Sequence, residues 1–94
     1  MTRIVIRELV WVESRNLRHI QKHNVSKDEV EEAGRNLIYH QQGRRGLYLA
    51  VGRSKLRLIF LVLNREGAGK YYLITARDAG KNERKVVYEK EQKK

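Results

Sequence analysis

Near residue 36 the spacing of apolar residues changes from a helical period to the alternation of a sheet. Leu9-Val10-Trp11-Val12 is a β-branched and aromatic run that predicts a first strand, beginning as early as Ile4. Ser14 stands where it can cap a short helix reaching His23, with Leu17 and Ile20 as its apolar stripe. Asn24 suits the close of that helix, because its short polar side chain tolerates positive φ. Ser26 and Glu29 have the S-x-x-E spacing of a capping box, and Val25 and Val30 take the two positions of a hydrophobic staple. A second helix is predicted over 27–35, with Val30 and Ala33 inward and Glu31 and Glu32 outward; Gly34 favours its early end.

Beyond residue 36 the pattern is that of strands. Leu37-Ile38-Tyr39 reads as an edge strand and Gly43-Arg44-Arg45-Gly46 as a basic turn. Strands follow over 47–51 and 56–63, joined tightly through Arg53-Ser54-Lys55; the second is apolar on both faces after Arg57, which suits a central strand. Glu66-Gly67-Ala68-Gly69 is a hairpin turn and the strand over 70–76 returns from it. Simple alternation puts Arg77 on the face of Tyr71, Leu73 and Thr75. A last helix over 80–92 has only Val86, Val87 and Tyr88 to bury and should dock weakly. Together these elements predict an α+β domain: a small antiparallel sheet of three or four strands, two helices from the N-terminal side packed on it, and a C-terminal helix.

Composition narrows the class. Ninety-four residues suffice for one core, so residues 1–94 are expected to form a single domain, with 90–94 a flexible charged tail. Cysteine is absent, which excludes disulfides and thiolate metal sites. Residues 1–8 lack an apolar core of signal-peptide length and no stretch approaches the roughly 20 apolar residues that span a bilayer, so a cytoplasmic protein without membrane contact is expected. The formal net charge of +10 points to polyanionic partners, nucleic acid first among them.

Two sets of residues can carry chemistry. His19 and His23 are four apart on one helix, the spacing of a metal-binding pair, but no Cys and no H-E-x-x-H completes a ligand set, so no metal is expected. His23, at a helix end, is placed to act as general acid or base, with Lys22 beside it to hold a phosphate; the alternative for each is a solvated surface residue. The second set is cationic: Arg53, Arg57 and Arg77 stand at or near strand ends, and guanidinium forks suit a phosphate that gains charge in a transition state. They are equally suited to ion pairs with Glu13, Glu29, Glu31 or Glu83. Glu83 reads either as a general base or as the counter-ion of Arg77. Tyr88, four residues after Arg84, reads as a core anchor or a proton donor.

The Trp11 strand, His19-Ile20-x-x-His23-x-Val25-Ser26-x-x-Glu29-Val30-Glu31-Glu32, Gly52-Arg53-Ser54, Arg57, Thr75-Ala76-Arg77, Glu83-Arg84 and Tyr88 follow one another in an order that resembles the BrnT family of type II toxins. The match runs through nearly the whole chain and departs from the family's pattern at Asn24, at Leu56-Arg57 and over 36–46. That resemblance implies a RelE-like fold and a metal-independent ribonuclease that inhibits translation. It also implies a co-encoded antitoxin with a ribbon-helix-helix part, through which the complex reaches operator DNA. Carried over by position, His23, Arg53 or Arg57, Arg77, Glu83 and Tyr88 become active-site candidates, with Arg57 taken as catalytic and Arg53 as an RNA contact; Lys22 and Arg84 are further expected RNA contacts. The rival expectation is a basic module that binds RNA or DNA without cutting it.

Overall fold

The computed structural model describes residues 4–92. Its elements run β1 (Glu8–Val10), a π-helical turn (Glu13–Leu17) continuing into α1 (Arg18–Gln21), α2 (Lys27–Arg35), β2 (Leu37–Gln42), β3 (Leu47–Ser54), β4 (Arg57–Gly67), β5 (Lys70–Asp78) and α3 (Lys81–Gln92). The α+β expectation holds, and the sheet carries one strand more than expected. β2 to β5 form an antiparallel meander, and β1 adds in parallel to the outer side of β5, giving the order β1-β5-β4-β3-β2. Consecutive antiparallel strands need only short turns, whereas the step from β1 at one edge to β2 at the other requires the whole helical segment.

The first strand is shorter than its hydrophobic run. The Asn16 side chain accepts from the Val12 N–H at 2.8 Å and donates to the Val10 carbonyl at 2.7 Å, satisfying backbone groups that would otherwise continue the ladder. Trp11 therefore lies outside the strand, and its indole N–H reaches Glu31 at 3.2 Å. Asn16 also replaces Ser14 as the residue that organises the helix start: Val12 precedes the π turn with no side-chain cap. Leu17 and Ile20 pack inward as the stripe predicts.

Helices α1 and α2 cover one face of the sheet and α3 lies on the other. The first face buries Ile20, Val25, Val30, Ala33, Ile59, Leu61, Leu63 and Leu73. The second buries Val51, Leu58, Ala79 and Val87, with Ile38, Tyr39 and Phe60 packed beside them. Ala33 lies against Gly52 so closely that a Cβ on Gly52 would stand 1.9 Å from the Ala33 carbonyl oxygen, which leaves glycine as the one residue β3 can place under α2. Gly34 does not break α2, because the helix continues to Arg35 under the side chains of Ile6 and Leu9.

Two sheet details differ from simple alternation. The turn between β3 and β4 is the pair Lys55-Leu56, with Lys55 at φ 56°, so Leu56 is no strand residue and is 95% exposed. In β5 the register slips between the pairs Val62–Thr75 and Leu63–Leu73, leaving Ile74 without a partner. That bulge reverses the parity of the strand. Tyr71 and Leu73 face α1 and α2, while Arg77 faces α3 across from Phe60, opposite to the face alternation assigned it. α3 runs to Gln92, so residues 90–92 of the expected tail are helical; residues 93 and 94 lie outside the described residues. No helix among the described residues is long and apolar enough to cross a membrane.

Candidate functional site

The corner between α1 and α2 is built as its sequence implies. Asn24 sits at φ 57° and turns the chain, and the N–H groups of His23 and Val25 close on the Ile20 carbonyl at 3.0 and 3.2 Å. Both halves of the capping box form: Ser26 Oγ accepts from the Glu29 N–H at 3.1 Å, and Glu29 Oε1 accepts from the Ser26 N–H at 2.9 Å. Val25 and Val30 are buried beneath it. This fixed backbone presents Lys22 and His23 to solvent, with the His23 ring 5.2 Å from that of His19 in an edge-on arrangement.

Arg57 locks the corner to the sheet. Its Nη1 donates to the Asn24 carbonyl and to both Glu29 oxygens, each at 2.9 Å, while its Nε donates to Asp78 at the end of β5. One guanidinium thus joins β4, β5, the corner and α2. The charges respond accordingly. The Ser26 N–H and then Arg57 hold the Glu29 carboxyl below its ordinary range, and the bond from Arg57 does the same for Asp78. In return Asp78 and Glu29 raise the Arg57 guanidinium well above its ordinary value.

The other cationic candidates lie on the opposite side. Arg77 stacks over the Phe60 ring at 4.3 Å and donates through Nη1 to Glu83 Oε1 at 3.0 Å and to the Asp78 carbonyl at 2.9 Å. Glu83 Oε1 also accepts the Gly80 N–H at 2.6 Å, so this carboxylate closes the start of α3 as well as pairing Arg77. Burial works against ionisation of Glu83, yet the Gly80 N–H and Arg77 outweigh it and keep the group below its ordinary range. Burial, with Glu83 nearby, pushes the Tyr39 phenol up. Arg53 reaches across to Glu91 on α3 at 2.7 Å, and Arg84 Nε donates to the Ala79 carbonyl at 3.0 Å. Tyr88 is 53% exposed and Val87 fills the core beneath α3, so the phenol is no core anchor.

The predicted residues therefore fall into two groups at one end of the sheet. Lys22, His23 and Arg57 stand on the α1–α2 side; Arg53, Arg77 and Glu83 stand on the α3 side. His23 is one peptide from the carbonyl that Arg57 holds, whereas Arg77 is turned to the far face by the Ile74 bulge. Asp78 joins the groups, bonded to Arg57 and close enough to Arg84 for that charge to favour its carboxylate. Sequence reasoning passed over Asp78 because its value depends on which strand lies beside Arg57. The i, i+4 spacing of His19 and His23 already places the two rings together. Among the described residues no group of three or more His, Asp or Glu side chains is arranged to hold a metal ion.

No family model and no curated protein matches the chain. Among solved structures, the fold is similar to that of the Brucella abortus ribonuclease toxin BrnT, seen in a crystal structure at 1.1 Å resolution. The superposition covers 79% of this chain and 97% of the toxin, with a TM-score of 0.62 and 18% sequence identity. The chain has a BrnT-like fold.

Proposed function

We propose that this chain is an endoribonuclease toxin of a type II toxin–antitoxin system, acting in the cytoplasm on RNA without a metal ion and so inhibiting translation. The observation that carries the reading is the fold likeness to a ribonuclease toxin, which takes in 97% of that protein. A net charge of +10 on 94 residues supports a polyanionic substrate. The antitoxin in this reading is a co-encoded protein with a ribbon-helix-helix part, through which the complex reaches operator DNA.

The reaction is attack of a ribose 2′-oxygen on the adjacent phosphorus, with loss of the 5′-oxygen and formation of a 2′,3′-cyclic phosphate. His23 takes the 2′-OH proton, and His19, whose ring is 5.2 Å away, gives a proton to the departing 5′-oxygen. Arg57 meets the phosphate through Nη2, the nitrogen left over after Nε and Nη1 bind the protein. Lys22 and Arg84 hold the flanking backbone. Arg77, oriented by Glu83, and Arg53 receive the strand where it passes to the α3 side, and the exposed Tyr88 phenol is available to donate to it.

Purified protein incubated with RNA in EDTA should yield fragments ending in 2′,3′-cyclic phosphate. His23→Ala should lower that rate by about 10²- to 10⁴-fold with its circular dichroism unchanged, and Arg77→Ala should also lower it. A folded His23→Ala protein that cuts at the parent rate removes His23 from the site. The second reading, a basic module that binds RNA without cutting it, is favoured by one observation: Arg53, Arg57 and Arg77 each already hold a carboxylate. Salt-sensitive binding with no fragments at all would select it.

A further inference from the structure

The four ion pairs among the described residues all lie at the end of the sheet just discussed, at Arg53, Arg57 and Arg77. At the other end, Arg7, Arg44, Arg45, Arg65 and Lys70 are exposed and none is within ion-pair distance of a carboxylate among the described residues, although Glu8 and Glu66 are close in sequence. Two of these arginines line a cleft of about 270 Å³ between the N-terminal segment and the β4–β5 hairpin. Arg65 stands opposite Tyr71 across β4 and β5, and its one bond is a long contact of 3.4 Å from Nε to the Gly67 carbonyl. Arg7 is fixed from below: its own N–H and that of Glu8 donate to the Gly69 carbonyl at 2.8 and 3.0 Å. Gly69, at φ 74°, has no side chain in the path of the Arg7 methylenes, which would stand 3.0 Å from a Cβ there. The half-buried Tyr48 ring forms the floor, set edge to face 6.0 Å from the ring of Tyr71, which is buried in the core behind it.

We infer that this cleft is a second phosphate-binding site, in which Arg7 and Arg65 grip the backbone of single-stranded RNA away from the bond that is cut. Two forks without carboxylate partners beside the part-exposed Tyr48 ring match a phosphodiester and its sugar or base. The basic turn at Arg44 and Arg45, close by on the same end, extends the track. The inference rests on the RNA substrate proposed above. Arg65 is eight residues along β4 from Arg57, about 26 Å at roughly 3.3 Å per residue. A stacked strand advances about 3.4 Å per phosphate, so about eight nucleotides connect the two ends. The site therefore acts on long RNA and leaves very short RNA unaffected.

The test uses the full chain with Arg7→Ala and Arg65→Ala combined, both exposed positions, and Arg7→Lys with Arg65→Lys as the charge-keeping control. Binding is read with a 20-nucleotide 2′-O-methyl RNA, which cannot be cut, at several salt concentrations. The Ala pair should weaken binding about tenfold and reduce the slope of log K against log salt by about 1.4, the value for two phosphate contacts on a single strand. Cleavage of a tetranucleotide in EDTA should be unchanged. Unaltered affinity and slope in the Ala pair overturn the inference, as does binding of polyglutamate that depends on Arg7 and Arg65 while RNA binding does not. RNA binding that depends on both arginines in a protein that cuts no RNA leaves this inference standing and refutes the ribonuclease reading.

Discussion

At the scale of single residues, Gly52 and Arg57 hold α2 to the sheet in opposite ways, one by having no side chain and the other through the Nε and Nη1 of its guanidinium. Gly52→Ala should cost about 3 kcal/mol, the upper end for overpacking, because the new methyl meets backbone rather than a side chain that can turn aside; urea unfolding measures it, and a cost under about 1 kcal/mol would mean that α2 shifts freely on β3. Neither role was fully legible in the sequence. Gly52 read as part of a turn motif, and its close approach to Ala33 exists only once the helix is laid on the strand. Arg57–Glu29 and Arg77–Glu83 were among the pairings anticipated, since both carboxylates flank local motifs, but Asp78 and Glu91 belong to neighbours that only the sheet brings near.

At the scale of elements, the α1–α2 corner was the most legible part of the chain. Its signals, Asn24, the Ser26–Glu29 box and the paired valines, act over a few residues and need no tertiary partner. The corner's tie to the sheet is electrostatic, and this sets its response to acid. Glu29 and Asp78 titrate lower in the folded chain than in the unfolded one, so the unfolded chain binds more protons as pH falls through the carboxyl range near about 4. The stability they contribute is complete above that range and is lost below it. Urea midpoints measured from pH 7 down to pH 3 should therefore fall, and Asp78→Asn, less stable at pH 7, should fall less steeply. An equal slope in the variant would show that Asp78 is not the group responsible. β5 was the least legible element: its residues alternate well enough to predict a strand, but the bulge at Ile74 depends on how β4 pairs with it, and so the face of Arg77 was read wrongly.

At the scale of the whole molecule, the α+β class, the helices and the first strand followed from the hydrophobic pattern, while the parallel pairing of that strand with β5 did not, because such pairing leaves no turn signal between its partners. The candidate residues were legible as types, a histidine at a helix end and arginines at strand ends, but their division between two faces was not. The pairing of β1 with β5 also bears on how the chain reaches its native state. β2 to β5 join through short turns and can zip together locally, whereas Glu8–Val10 must find Lys70–Tyr72 from the far end of the sequence. In pulse-labelled refolding, backbone amides of residues 8–10 should gain protection after those of β3 and β4; simultaneous protection would mean that the edge forms with the meander. Until β1 arrives, the Lys70–Tyr72 end of β5 is an unsatisfied edge of the kind that recruits strands from other chains. The shortest strand thus narrows the window in which a newly made chain is exposed to aggregation, by covering the start of β5.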